Sequence, residues 1–355
     1  MPSTHRNYFL NLIKLLRGDR LLRPLIATYY VTTQCNLNCA YCEYFGARRN
    51  AQAEEQLDLD RALRVLRVIR SGVDSLIVTG GEPLLHPDID QLIVRARNEL
   101  KFRHITLLTN GSLLRQHETL LPALDRLVIS LDAIDAAHWS TVINAPSTVA
   151  QTIVDNIQHY AARQRDFGYQ LIVNCVLTPA TLPDVDGLLD FCIKHHILIS
   201  FSPQAVNNWP RYDLLVSREY RDFIQRLVNR KQHGHPILGS YAYLRTLIDF
   251  TPYTCYPLLV PRVMSNGDLV YPCRPIEQGK VEHGGRPCNL LEVESWSHAI
   301  GLALKQYGTP PQTCASCFQQ CFAEPSLLQA QPLALLREMT YPASRRGAVW
   351  KHAPG

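Results

Sequence analysis

Thr33-Gln34-Cys35-Asn36-Leu37-Asn38-Cys39-Ala40-Tyr41-Cys42 is the stretch that decides the reading of this chain. The residues just before it, Leu25 to Thr32, are apolar and β-branched enough to form a buried strand. Three cysteines at the spacing CxxxCxxC therefore occupy a loop at the C-terminal end of a strand, where α/β barrels place their chemistry. Three thiolates on so short a loop can ligate three irons of a [4Fe-4S] cluster and leave the fourth iron open to a substrate. Zinc sites more often use four protein ligands in paired CxxC spacing.

Outward from that loop, short apolar runs alternate with amphipathic stretches, the pattern of β/α units around a buried parallel sheet. Strands are expected at 25–32, 75–79, 104–109, 126–131, 170–177 and 197–202. Leu59, Ala62, Leu63, Leu66 and Ile69 keep helical period, and Gly72 is read as the stop. Ile89, Leu92, Ile93 and Ala96 repeat that face, as do Val185, Leu188, Leu189, Cys192 and His196. Six units predict an α/β fold, a partial (β/α)6 TIM-like barrel short of the eight that close a full one. Helices are expected near 217–232 and 237–250. From Cys255 to Pro325 the chain is rich in Cys, Pro and Gly, which leaves room only for short strands in a small second domain. The expected division is an amphipathic segment at 1–24, the barrel at 25–205, a helical connection at 206–253, the Cys-rich domain at 254–325 and a tail at 326–355.

The 355 residues are 46% apolar and 19% charged, which belongs to a folded chain with a sizeable core. A formal charge of +5, with no run of like charges, gives no nucleic-acid footprint. Eleven cysteines without a secretion signal point to a cytoplasmic protein whose cysteines bind metal rather than pair. No apolar run approaches the length that spans a bilayer. The segment Tyr8 to Arg17, followed by Arg20 and Arg23, sets apolar residues at helical spacing beside basic ones. It is read either as a helix docked on the barrel or as a peripheral membrane contact through residues 6–23 at the inner membrane face. Cys175 and Cys192 are read as core residues, and His195-His196 as a helix end and not a metal site.

The CxxxCxxC loop, with Tyr41 before its last cysteine, resembles the signature of the radical S-adenosylmethionine (SAM) superfamily. Gly80-Gly81-Glu82-Pro83 ends the second strand, Thr109-Asn110-Gly111 the third and Ser130-Leu131-Asp132 the fourth, as in that family. The resemblance implies that Cys35, Cys39 and Cys42 hold the open-site cluster and that Gly80, Gly81, Glu82 and Pro83 edge the methionine amino group of SAM. It implies that Ser130 and its neighbours position the carboxylate and ribose, with Asp132, Asn110 and Asn174 as further contacts and Tyr41 against adenine. Turn chemistry and helix capping would also place Asn, Ser and Asp at these positions.

A second set, Cys255, Cys273, Cys314, Cys317 and Cys321, combines two separated cysteines, a hairpin around Asn266-Gly267 and a late CxxC. This resembles the SPASM/twitch domain of the superfamily, with Cys255, Cys273, Cys314 and Cys317 as the first choice of ligands to one auxiliary [4Fe-4S] cluster. Cys321 replaces one of them or sits beside the cluster, and a structural zinc in the same positions stays open. Residues 317–325 also resemble the end of the hopanoid adenosyl-transferring members.

The resemblance implies reductive cleavage of SAM to a 5′-deoxyadenosyl radical, which abstracts hydrogen from, or adds adenosyl to, a small-molecule or lipid substrate. An oxidoreductase or transferase of this kind takes its electron from a donor such as flavodoxin or ferredoxin. The alternatives are a peptide-modifying maturase and a non-enzymatic zinc or iron-sulfur binding module.

Overall fold

The computed structural model describes residues 3–278, 284–311 and 317–333. Helix α1 (Ser3–Leu16) precedes strand β1 (Ala27–Thr32). Then follow α2 (Leu59–Gly72), β2 (Ser75–Gly80), α3 (Ile89–Asn98), β3 (His104–Thr109) and β4 (Arg126–Ser130). Two helices, α4 (Ala136–Ile143) and α5 (Ser147–Ala162), and the single turn α6 (Gln164–Phe167) separate β4 from β5 (Gln170–Leu177). After α7 (Val185–Lys194) comes β6 (Leu198–Pro203), then the hairpin β7 (Ala205–Val206) and β8 (Trp209–Pro210).

β1 to β6 pair in parallel and in chain order, which is the expected partial barrel. The strand cores alternate with α2, α3 and α7, whose buried faces are Ala62, Leu63, Leu66 and Ile69, then Ile89, Leu92, Ile93 and Ala96, then Val185, Leu188, Leu189 and Cys192. Cys175 and Cys192 lie in this core, as read from the sequence. α8 (Tyr212–Val216), α9 (Arg218–Gln232) and α10 (Tyr241–Ile248) make the helical connection.

The C-terminal segment departs from the expectation in two ways. Its hairpin, β9 (Arg262–Val263) and β10 (Leu269–Val270), does not stand apart: β9 pairs in parallel with β1, so the order runs β10-β9-β1-β2-β3-β4-β5-β6. The segment also holds more than short strands. Beyond the short α11 (Arg274–Gln278) it contains α12 (Trp296–Tyr307) and α13 (Gln320–Ala330). Ser295 caps α12 by accepting from the His298 N–H, and Trp296, Ala299 and Ala303 supply its buried face. Trp296 adds a second reason for Gly72. The glycine ends α2 as expected, and a Cβ there would lie 2.4 Å from Trp296 Cγ. The glycine is required by close packing of α12 on α2.

α1 docks through its polar residues. Asn7 donates to Pro24 O at 2.8 Å and Asn11 to Arg23 O at 2.9 Å, both from buried side chains, while Phe9, Ile13 and Leu16 stay exposed. Thr4 bonds Asp74 and Ser75 at the start of β2, so the helix lies at the end of the barrel opposite the cysteine loop. No helix among the described residues is long and apolar enough to cross a membrane.

Candidate active site

The cysteine loop is held mainly by backbone bonds and short polar side chains. Asn38 N–H donates to Ile143 O and Ala40 N–H to Val142 O, which hangs the loop on the end of α4. From the other side a short 3-10 turn, Ala47–Gln52, braces it. Ala47 N–H donates to Leu37 O, Arg49 Nη1 to Cys42 O at 3.1 Å, and the Asn50 amide bonds the Cys35 peptide at both its N–H and its carbonyl.

The end of β2 meets the loop edge to edge. Gly81 N–H donates to Thr32 O and Glu82 N–H to Gln34 O. A Cβ on Gly80 would sit 2.2 Å from Thr32 O and one on Gly81 2.1 Å from Gln34 O. The close approach that these glycines serve in this structure is to the chain entering the cysteine loop. Glu82 is fully buried and occupied: Oε1 accepts from Thr109 Oγ1 and Leu84 N–H, and Oε2 from Asn110 N–H. It ties β2 to β3, while Pro83 opens the next turn. Asn110 Nδ2 in turn donates to Asn36 Oδ1 inside the cysteine loop, at 2.8 Å.

Beyond β3 the site continues as a polar row. Ser130, Asn174 and Ser200 are register partners on β4, β5 and β6, and Ser200 Oγ donates to Asn174 Oδ1 at 2.9 Å. Asp132 is buried beneath this row. Its Oδ1 accepts from Val176 N–H at 2.7 Å, Oδ2 makes no hydrogen bond to the described residues, and burial pushes its carboxyl up to about 7. Burial and the Asp132 charge together raise the Tyr41 phenol.

The thiols influence one another. Burial pushes Cys35 up to about 11, with the charges of Glu82 and Cys42 adding to it. Burial raises Cys39 further, helped by Asp132, Cys42 and Cys35. Thiols grouped in this way become thiolates together only against a cation, so the donor set fits an iron-sulfur cluster. As the side chains stand, no three His, Cys, Asp or Glu groups among the described residues converge on one metal position.

Cys273, Cys317 and Cys321 form a second group. Burial first, then the charge of Cys321, pushes Cys317 up to about 12, and Cys273 adds to this. Cys255 reaches the same helix, with Ser326 Oγ 3.9 Å from its sulfur. Cys314 lies outside the described residues. Arg262 supplies the positive charge: Nη2 is 3.0 Å from Cys321 Sγ and its guanidinium stacks 4.3 Å over the Phe322 ring. Burial alone would lower this guanidinium, but Tyr30 and the thiols Cys321, Cys317 and Cys273 raise it.

Between the two cysteine groups lies a cavity of about 140 Å³. Tyr30, Tyr44 and Phe45 line it from the cysteine-loop side, Arg262 and Arg274 from the C-terminal side, and Asn208 and Gln319 at the rim. Both arginines are buried, and the Nε of each makes no hydrogen bond to the described residues. The sequence reading missed Asn50, Ser200, Arg262 and Arg274, none of which stands in a motif.

Residues 29–192 match the family model of the radical SAM superfamily. This part of the chain is a radical SAM domain. The chain is 37% identical over 167 residues to a GTP 3′,8-cyclase of Staphylococcus saprophyticus, covering 45% of this chain and 48% of the relative. It is 31% identical over 210 residues to the GTP 3′,8-cyclase of Mycolicibacterium smegmatis, covering 54% and 57%. The chain thus spans about half the length of the curated relatives it matches. Among solved structures, anSMEcpe with bound AdoMet superposes with a TM-score of 0.59 over 88% of this chain and 98% of that one, at 13% identity. That likeness concerns the fold, and it extends over the C-terminal segment as well as the radical SAM domain. A radical SAM domain brings a [4Fe-4S] cluster and SAM as its cofactors.

Proposed function

We propose that the chain is a radical SAM enzyme whose substrate is a small molecule or lipid bearing an anionic group. The observation that carries this is the cavity between the cysteine loop and the C-terminal hairpin, closed on one side by Arg262 and Arg274. Burying a guanidinium with unsatisfied N–H groups costs several kcal/mol, on the order of what a bound carboxylate or phosphate returns. Arg274 stacks on Tyr30, Tyr44 and Phe45 at 5.2, 4.8 and 5.0 Å, which holds its guanidinium in place and leaves its Nε for an anion.

Cys35, Cys39 and Cys42 would hold the open-site cluster. Glu82, Asn110 and the Gly80-Gly81 edge fix the loop, and Tyr41, Ser130, Asp132 and Asn174 surround the remaining SAM-facing space. Bound there, the cluster and SAM supply one-electron cleavage of the sulfonium and a 5′-deoxyadenosyl radical. The chain positions the substrate and keeps water out. Cys255, Cys273 and Cys317, with Cys314 or Cys321, would hold an auxiliary cluster, its negative charge matched by Arg262. GTP, the substrate in the relatives' names, is an anionic small molecule with a planar base and is a candidate of this class.

Anaerobically reconstituted protein is expected to carry about eight iron and eight sulfide per chain and to form 5′-deoxyadenosine from SAM with dithionite. Four iron would overturn the auxiliary cluster, and tightly bound zinc without iron would overturn the enzyme. Changing Cys35, Cys39 and Cys42 together to Ala should abolish SAM cleavage. Calorimetric titration with GTP and with pyrophosphate tests the anion: Arg262→Gln and Arg274→Gln should each weaken binding at least tenfold. Binding that neither substitution changes would overturn the anionic class.

We also propose that residues 6–23 contact a membrane peripherally. The outward Phe9, Ile13 and Leu16 favour it, and their position at the far end of the barrel makes the contact an anchor and not a route to the cavity.

A further inference from the structure

The cysteine loop faces the cavity lined by Tyr30, Tyr44 and Phe45 on its inner side and has a separate outer side. On that outer side lies the 3-10 turn Ala47–Gln52, none of whose residues is buried. Ala47, Arg48, Arg49, Ala51 and Gln52 are exposed. Its contacts with them are short. Arg49 Nη1 bonds Cys42 O at 3.1 Å, Arg48 N–H bonds Asn38 Oδ1 at 2.9 Å, and Asn50 clamps Cys35. A molecule resting on this turn is separated from the Cys42 peptide by one guanidinium.

The charge of the turn has no internal use. Neither Arg48 nor Arg49 forms an ion pair among the described residues. The acids that follow are engaged elsewhere: Glu54 pairs with Arg286 at 2.7 Å and Glu55 with Arg61 at 2.8 Å. An exposed cationic patch hydrogen-bonded to the loop that would hold the cluster suits a partner that must come close briefly and leave. Steering by opposite charge raises the encounter rate of such partners and is strongly screened by salt.

We propose that the Ala47–Gln52 turn is the docking surface for an acidic one-electron carrier protein, with Arg48 as its exposed charge anchor. This rests on the radical SAM reading of the cysteine loop. Arg48 is the residue to change, because its side chain makes no hydrogen bond to the described residues, whereas Arg49 braces Cys42.

The experiment measures SAM cleavage by the reconstituted full chain with two reductants, dithionite and reduced flavodoxin. In the parent protein, raising the salt should slow the flavodoxin-driven reaction and leave the dithionite-driven one unchanged. Arg48→Glu combined with Gln52→Glu should raise the KM for flavodoxin at least tenfold and abolish that salt dependence, with the dithionite rate preserved. Equal flavodoxin KM in parent and variant would overturn the proposal. If the charge reversal also lowers the dithionite rate, Arg48→Ala decides: a raised flavodoxin KM at normal dithionite rate supports docking, and an unchanged KM overturns it. No SAM cleavage by the parent with dithionite would instead overturn the radical SAM reading on which the proposal rests.

Discussion

The side-chain amide of Asn50 closes on the peptide of Cys35 from both ends: its Oδ1 accepts from Cys35 N–H at 2.9 Å and its Nδ2 donates to Cys35 O at 3.0 Å. One side chain thereby fixes the orientation of the first cysteine from fifteen residues away.

Replacing it tests whether the loop is prearranged. Each hydrogen bond contributes about 1 kcal/mol, so Asn50→Ala should loosen the loop without unfolding the barrel, which does not depend on it. The expected result is a lower iron and sulfide content after desalting and a slower SAM cleavage, with the thermal midpoint lowered by only a few degrees. Asn50→Asp keeps the acceptor and should fall between the two. Full iron retention in Asn50→Ala would show that the turn is dispensable.

Gly72 and Trp296 offer a test of how the C-terminal segment is attached. With a Cβ only 2.4 Å from the indole, Gly72→Ala forces α12 away from α2. Overpacking of this kind costs about 1–3 kcal/mol, and it should appear as a lower urea midpoint. Trp296→Leu in the same background, by removing the indole, should recover part of the loss. A Gly72→Ala protein of unchanged stability would mean that the contact is not tight in solution.

Much of the barrel was legible because its signals are local. The six strands fall within a residue or two of their expected places, since each is a short apolar run bounded by turn residues, and α2, α3 and α7 bury the faces that their periods predict, except that α7 ends at Lys194 and His196 turns out of the face, exposed at a positive φ. What was not legible depends on long-range approach. Gly72 does end α2, but its packing against Trp296, more than two hundred residues later, shows only in the fold. β9 is two residues long and gives no pattern that would place it beside β1. Asn50, Arg262 and Arg274 are isolated in sequence and acquire roles only when Cys35 or the cavity wall is brought to them. That Gly80 and Gly81 also pack on the backbone of Thr32, at the end of β1, and of Gln34 depends on the pairing of β2 with β1.

Asp132 predicts a pH dependence. Its folded-state value of about 7 lies above the ordinary carboxyl value of about 3.9, so the native state binds the extra proton in between. Its contribution to stability is therefore complete below about pH 4 and is lost as pH rises through 7. At about 1.4 kcal/mol per unit, the loss between pH 5.5 and 7 is about 2 kcal/mol. Asp132→Asn keeps an acceptor for Val176 N–H and cannot titrate, so its urea midpoint should vary less with pH than that of the parent over this window. Parallel pH profiles for the two proteins would place the Asp132 proton outside the range.

The last prediction concerns α1, whose orientation is the reverse of a helix that uses its apolar stripe to dock. Asn7 and Asn11 face the protein and are buried, while Phe9, Ile13 and Leu16, spaced to share one helical face, are 53%, 47% and 88% exposed. Leaving three large apolar side chains in water forgoes roughly 1.5–3 kcal/mol for each one that full burial would stabilise. The exposed Arg6, Arg17, Arg20 and Arg23 flank the stripe, and each basic residue near an anionic surface adds about 1 kcal/mol before screening. Full-length protein should therefore sediment with anionic vesicles at low salt and less so at high salt. Phe9→Ser with Ile13→Ser should abolish sedimentation with little loss of fold stability, because both side chains are about half exposed and neither is in the core. Asn7→Ala should do the opposite, lowering stability through the lost bond to Pro24 while leaving vesicle binding intact. SAM cleavage by the vesicle-bound protein should match that of the free protein, since the helix lies at the far end of the barrel from Cys35. Protein that stays in the supernatant with anionic vesicles at low salt would end the membrane reading.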